Sequence, residues 1–92
     1  MIRIDKYLKL SRLIKRRSQA QEMISIGAVR LNGREIKPSA LVHEEDTIEI
    51  AYTARVMSIR VIQDDEKILR RGNESAYILL EEKRVDPERK PW

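Results

Sequence analysis

Ser18-Gln19-Ala20-Gln21-Glu22-Met23-Ile24-Ser25-Ile26-Gly27-Ala28-Val29-Arg30-Leu31-Asn32-Gly33 contains the change of period that decides the fold. Up to Ile26 the apolar residues Ala20, Met23 and Ile24 share one helical face. Ser18 and Gln21 have capping-box spacing, and Gly27 is a natural left-handed stop. These features predict a helix over 18–26. Beyond Gly27 the pattern alternates, with Val29 and Leu31 on one side and Arg30 and Asn32 on the other. Asn32-Gly33 is the strongest short hairpin signal, Glu35-Ile36-Lys37 returns from it, and Pro38 ends the pairing.

Upstream, Ile4, Tyr7 and Leu8 lie on one face of a helix from Arg3 to Leu10, and Ser11 ends it. Leu13 and Ile14 then turn inward. Downstream, Leu41 and Val42 lead to a turn at Glu44-Glu45-Asp46. Ile48, Ile50 and Tyr52 alternate in a strand, and Met57, Ile59 and Val61 share one face of a further run, Val56 to Ile62. Residues 63–75 read as a polar connection, Ala76 to Leu80 as a last strand, and the chain from Glu81 as a frayed charged tail. The fold class is α+β: two short N-terminal helices packed on a small, mostly antiparallel sheet. Residues 1–62 form the main domain, and residues 63–92 complete it.

The first seventeen residues hold Arg3, Lys6, Lys9, Arg12, Lys15, Arg16 and Arg17 against one acid, Asp5. Residues 1–41 carry ten Lys/Arg and three Asp/Glu, whereas residues 42–92 carry nine and twelve. One end is therefore built for a polyanion, and phosphate backbones are the commonest partner of such a field. A membrane-surface helix would need a continuous apolar face with bulky anchors; this stripe is interrupted and lacks Trp and Phe. The absence of cysteine and the single histidine, His43, leave no disulfide and no metal-ligand set. No long apolar run and no secretory leader pattern is present, so a cytoplasmic protein is expected.

Each basic residue has a structural reading beside the functional one. Arg16 and Arg17 can bridge phosphate oxygens with their planar forks. The N-terminus of the second helix, beside Lys15–Arg17, adds free amides to the charges. Five or six phosphate contacts would give a log–log salt slope of about −4 to −5. Asp5 is expected to pair with a neighbouring arginine and fix its direction, or to serve as a first-turn acid; the two are compatible. Ser18 is a helix cap that could also meet phosphate. Arg30 and Lys37, on the hairpin, are second-tier contacts. Tyr7 is read as core, Tyr52 and Tyr77 as core or cross-strand residues, and Trp92 is unassigned. His43 is a surface residue. The triplets Glu44-Glu45-Asp46 and Asp64-Asp65-Glu66 read as solvated turns rather than cation sites. No Gly-rich phosphate loop or activated nucleophile is visible, so no enzyme activity and no cofactor are expected.

Arg3-Ile4-Asp5-Lys6-Tyr7-Leu8, then Ser11-Arg12, Lys15-Arg16-Arg17-Ser18, Ala20, Gly27, Val29 and Leu31-Asn32-Gly33, with Asp46 and Ile48 later, resemble the RNA-binding domain named for ribosomal protein S-four. The resemblance covers roughly residues 2–52. Members often ride on enzymes such as pseudouridine synthases; this chain has no length for a catalytic domain. Leu10 to Arg17 and the acidic Glu81-Glu82-Lys83-Arg84-Val85-Asp86-Pro87 are similar to the family's free-standing members in ribosome-associated quality control. Those are related to the fifteen-kilodalton heat-shock protein, which carries a longer basic C-terminal extension.

The resemblance implies binding to large ribosomal subunits obstructed by peptidyl-tRNA. The protein would touch large-subunit rRNA and tRNA and support template-free alanine tailing beside the larger factor RqcH, in rescue of stalled translation. It would be a monomer off the ribosome, with no membrane or small-molecule partner. The alternatives are an RNA-binding heat-shock protein that recycles large subunits, and an accessory subunit of an RNA-modifying enzyme. A DNA-binding protein is disfavoured because neither helix has the length or the preceding turn of a recognition helix.

Overall fold

Ile2–Arg3 (β1) pairs antiparallel with Leu41–Val42 (β4), so the N-terminus is tied to the middle of the chain. The computed structural model describes residues 1–88. Ile4–Leu10 (α1) follows at once and buries Ile4, Asp5, Tyr7 and Leu8. Its end is a tight corner: the Ser11 amide donates to the Tyr7 carbonyl, and the Ile14 amide to the Leu8 carbonyl at 3.0 Å. Leu13 and Ile14 are buried there, while Arg12 takes a left-handed backbone, φ 67°.

The second helix is Arg17–Ser25 (α2), beginning one residue earlier than the sequence predicts. Arg16 occupies the N-cap position, and no side chain caps the first turn. The expected Ser18 cap is not formed. Ser18 lies inside the helix and is exposed, and Gln21 bonds elsewhere, so the capping-box spacing was coincidental. Gly27, at φ 78°, ends the unit as expected.

Val29–Leu31 (β2) and Arg34–Glu35 (β3) form the expected hairpin. Asn32 and Gly33 both have positive φ (52° and 78°), as a twist-matched two-residue turn requires. The Asn32 side chain donates to Asp46 and accepts from the Thr47 amide, locking this turn to the next strand. Thr47–Ala51 (β5) and Arg55–Val61 (β6) then lay Ile48, Ile50, Met57, Ile59 and Val61 on the core face.

The 63–75 connection contains a helix, Glu66–Arg71 (α3). Asp65 caps it by accepting from the Lys67 and Ile68 amides, and Gly72 stops it at φ 70°. With only Ile68 and Leu69 apolar, six residues are too short to show a helical period. The last strand, Tyr77–Arg84 (β7), runs on past Leu80 through the charged residues expected to fray. Pairing with β6 as far as Arg55↔Arg84 holds it, and Arg55 lies 3.6 Å from Glu82. A register shift at Ser58/Ile59 marks a bulge. Trp92 lies outside the described residues.

The sheet order is β3-β2-β5-β6-β7, and every neighbouring pair is antiparallel. The helices cover one face. Tyr7 is wholly buried, and its hydroxyl donates to the Ala76 carbonyl at 2.6 Å, clamping α1 to the start of β7. No helix among the described residues is long and apolar enough to cross a membrane.

Candidate nucleic-acid interface

Asp5 is the only buried charged residue among those described, and its side chain is 0% exposed. Arg3 grips it side-on, Nε to Oδ1 at 3.3 Å and Nη2 to Oδ2 at 3.1 Å. Arg17 Nε donates to Oδ2 at 3.1 Å, Gln21 Nε2 donates to Oδ2 at 2.9 Å, and the Lys6 amide donates to Oδ1 at 2.8 Å. The carboxylate therefore joins α1 to α2. Burial pushes its pKa up, but the hydrogen bonds from Gln21, Arg17 and the Lys6 amide, with the Arg17 charge, outweigh burial and hold it below the ordinary value.

The Arg3 and Arg17 side chains remain 43% and 39% exposed, whereas the carboxylate they share is wholly buried. One negative charge serves two positive ones, leaving a net positive corner. Fixed forks of this kind suit planar recognition of phosphate oxygens.

The last turn of α1 and the loop leading to α2 supply the free charges. Among the described residues, Lys9, Arg12, Lys15 and Arg16 are exposed and carry no ion pair. The loop is rigid from below: buried Leu13 and Ile14 anchor it, and the Tyr52 hydroxyl donates to the Leu13 carbonyl at 2.5 Å. The Arg55 guanidinium stacks on the Tyr52 ring, 4.7 Å from its centroid. Lys37 is exposed beside Pro38, whose carbonyl accepts from the Asp5 amide, so it flanks the Arg3 side of the corner.

Two expected contacts are placed differently. Lys6 Nζ is bound to Glu66 Oε1 at 3.2 Å, which ties α3 to α1 and draws that lysine away from the free cations, although Glu66 also holds Arg70 at 3.1 Å. Arg30 is half-buried on β2 between Glu35 and Glu49 in register, and it lines a separate groove with Glu22 and Met23. Ser18 is exposed on the first turn of α2, beside the corner. The expected pairing of Asp5 with an arginine is present, with two arginines rather than one. Gln21 and Tyr52 are positioning residues that sequence reasoning missed. Their partners are 16 and 39 residues away, and neither spacing carries a periodic signal. The acidic residues of 64–66 are used internally: Asp64 meets the N-terminal ammonium at 3.2 Å, Asp65 caps α3 and Glu66 holds Lys6.

A helix pair joined to an Asn-Gly hairpin, with a cationic corner held on a buried carboxylate, defines a small binding module of S4 type. The S4 domain family model matches residues 2–48. An RQC P-site tRNA stabilizing factor of Listeria innocua is 34% identical over 96% of each chain. Heat shock protein 15 of Escherichia coli is 34% identical over 88% of this chain and 59% of its own length. A solved structure, the trimeric heat shock protein 15 of Vibrio cholerae, superposes with a TM-score of 0.71 at 26% identity, covering 86% of this chain and 81% of that one. The chain belongs to the S4 domain family, in its branch of RQC P-site tRNA stabilizing factors (RqcP).

Proposed function

We propose that this protein is an RNA-binding factor of ribosome-associated quality control. It binds rRNA and tRNA on large ribosomal subunits obstructed by peptidyl-tRNA, and it supports template-free alanine tailing of the nascent chain beside an RqcH-type partner. It acts in the cytoplasm, by binding alone and as a monomer off the ribosome. The observation that carries this reading is the Asp5 hub, with Arg3 and Arg17 fixed on it and unpaired Lys9, Arg12, Lys15 and Arg16 around it. The names of full-length relatives support the quality-control setting.

Structured RNA is bound largely through shape and backbone, so the corner positions the protein rather than reading sequence. Arg3 and Arg17 supply directed forks. Lys9, Arg12, Lys15 and Arg16 supply screening-sensitive attraction, each adding about one unit to the salt slope when it meets a phosphate. Lys37 extends the same face; Ser18, Lys6 and Arg30 are lesser contributors. The likeness to heat shock protein 15 favours one second reading, recycling of large subunits under heat stress.

Sedimentation of tagged protein from lysate tests the proposal, with wild type beside Lys15→Ala/Arg16→Ala, two exposed residues outside the Asp5 hub. Co-migration of wild type with large subunits and its loss in the folded variant is the expected result. Wild type at the top of the gradient would refute ribosome binding. Retention of any partners after nuclease treatment would point to a protein complex instead.

A further inference from the structure

A groove of about 350 Å³ lies where the end of α1 faces α3 and the start of β7. Leu10 and Leu69 give it apolar walls, Tyr77 a half-buried ring, and Arg12, Glu74 and Ser75 its polar rim. Arg12 lines this groove and belongs to the same loop as Lys15, and its backbone is left-handed (φ 67°) just after α1. Among the described residues, the Arg12 guanidinium and the Ser75 and Tyr77 hydroxyls make no hydrogen bond, and Glu74 has a single contact of 3.4 Å, from Gln63 Nε2.

We propose that this groove is a subsite for one unpaired RNA nucleotide, an inference that rests on the RNA-binding reading above. The volume is at the small end of ligand-sized pockets, about 300–1,000 Å³, which fits a single nucleoside and excludes a duplex. The base packs against Leu10, with the buried Leu69 beneath it, and meets the Tyr77 ring. The rim hydroxyls and the Glu74 carboxylate meet its polar edge. Arg12 takes the adjoining phosphate, so the backbone continues onto Lys9, Lys15 and Arg16. RNA proteins commonly splay unpaired bases onto aromatic side chains in this way.

The test compares two labelled RNA hairpins of equal length, one fully paired and one with a single bulged nucleotide, by fluorescence anisotropy. Wild type should bind the bulged hairpin about tenfold more tightly, the scale of one stacked base. Ser75→Trp, a change at an exposed position that fills the groove, should erase that preference while leaving the paired hairpin bound as in wild type. Lys15→Ala/Arg16→Ala should weaken both probes alike. A 4-thiouridine bulge on wild-type protein gives a check independent of folding: its photo-crosslink should map to residues 74–77. Equal wild-type affinity for both hairpins, an unchanged preference in folded Ser75→Trp, or crosslinks confined to residues 15–17 would overturn the subsite and leave the RNA-binding reading intact. Binding of neither hairpin would overturn both.

Discussion

Arg17 Nε and Asp5 Oδ2 lie 3.1 Å apart across twelve residues of sequence, and this contact sets the angle at which two basic helices present their charges. Arg3 and Gln21 share the same carboxylate, so the corner is one bonded unit rather than a scatter of surface cations.

Asp5→Ala should loosen that unit. It removes five hydrogen bonds and leaves a void beneath two arginines. Because those guanidiniums are partly solvated, the loss is expected at about 2–3 kcal/mol rather than the larger penalty of a fully buried broken pair. Urea unfolding measures it. RNA affinity should fall as well, although the substitution raises the net positive charge.

The acid limb of stability should carry the same residue. The folded Asp5 carboxyl titrates below its ordinary value, so the unfolded chain takes up the proton first as pH falls. The stabilisation is present above about pH 4 and is lost as pH drops through the lower folded value. Urea midpoints between pH 7 and pH 2.5 should therefore decline less in Asp5→Asn than in wild type. Glu66, also held low by Lys6, adds to the same window, and Asp5→Asn/Glu66→Gln should be flatter still.

Ser18→Ala should be nearly silent for stability. A working Ser cap is worth about 1 kcal/mol, but Ser18 caps nothing and a neutral surface change stays within about 0.5 kcal/mol. A thermal midpoint unchanged in the variant is the expected reading; a clear drop would mean that the side chain bonds the first turn in solution.

Glu66→Gln should loosen both Lys6 and Arg70, which share its carboxylate, and Lys6 is the one of the two on α1. The expected outcome is tighter RNA binding with a salt slope steeper by about one unit. A slope equal to that of wild type would place Lys6 outside the contact surface.

The α2–hairpin half of the fold was legible because each of its signals is local. Gly27 and Asn32-Gly33 demand left-handed backbone, and the switch from helical to alternating period falls between them. The arginine partner of Asp5 was legible from charge alone. What escaped depended on distance or brevity. Six residues of α3 carry too little period to be seen, and β7 crosses from apolar to charged residues because β6, not its own composition, keeps it paired. Ser18 misled because Gln21 had a stronger partner in a buried carboxylate than in an exposed backbone amide.

The Tyr7–Ala76 hydrogen bond spans 69 residues, and the Tyr52–Leu13 brace spans 39. The surface encoded by the first seventeen residues is thus the last to become whole. A nascent chain that has emerged only through residue 48, the end of the matched domain, lacks both anchors and α3, which packs against α1. The binding corner is in this sense a checkpoint on its own synthesis: a prematurely ended copy would carry the charges without their geometry.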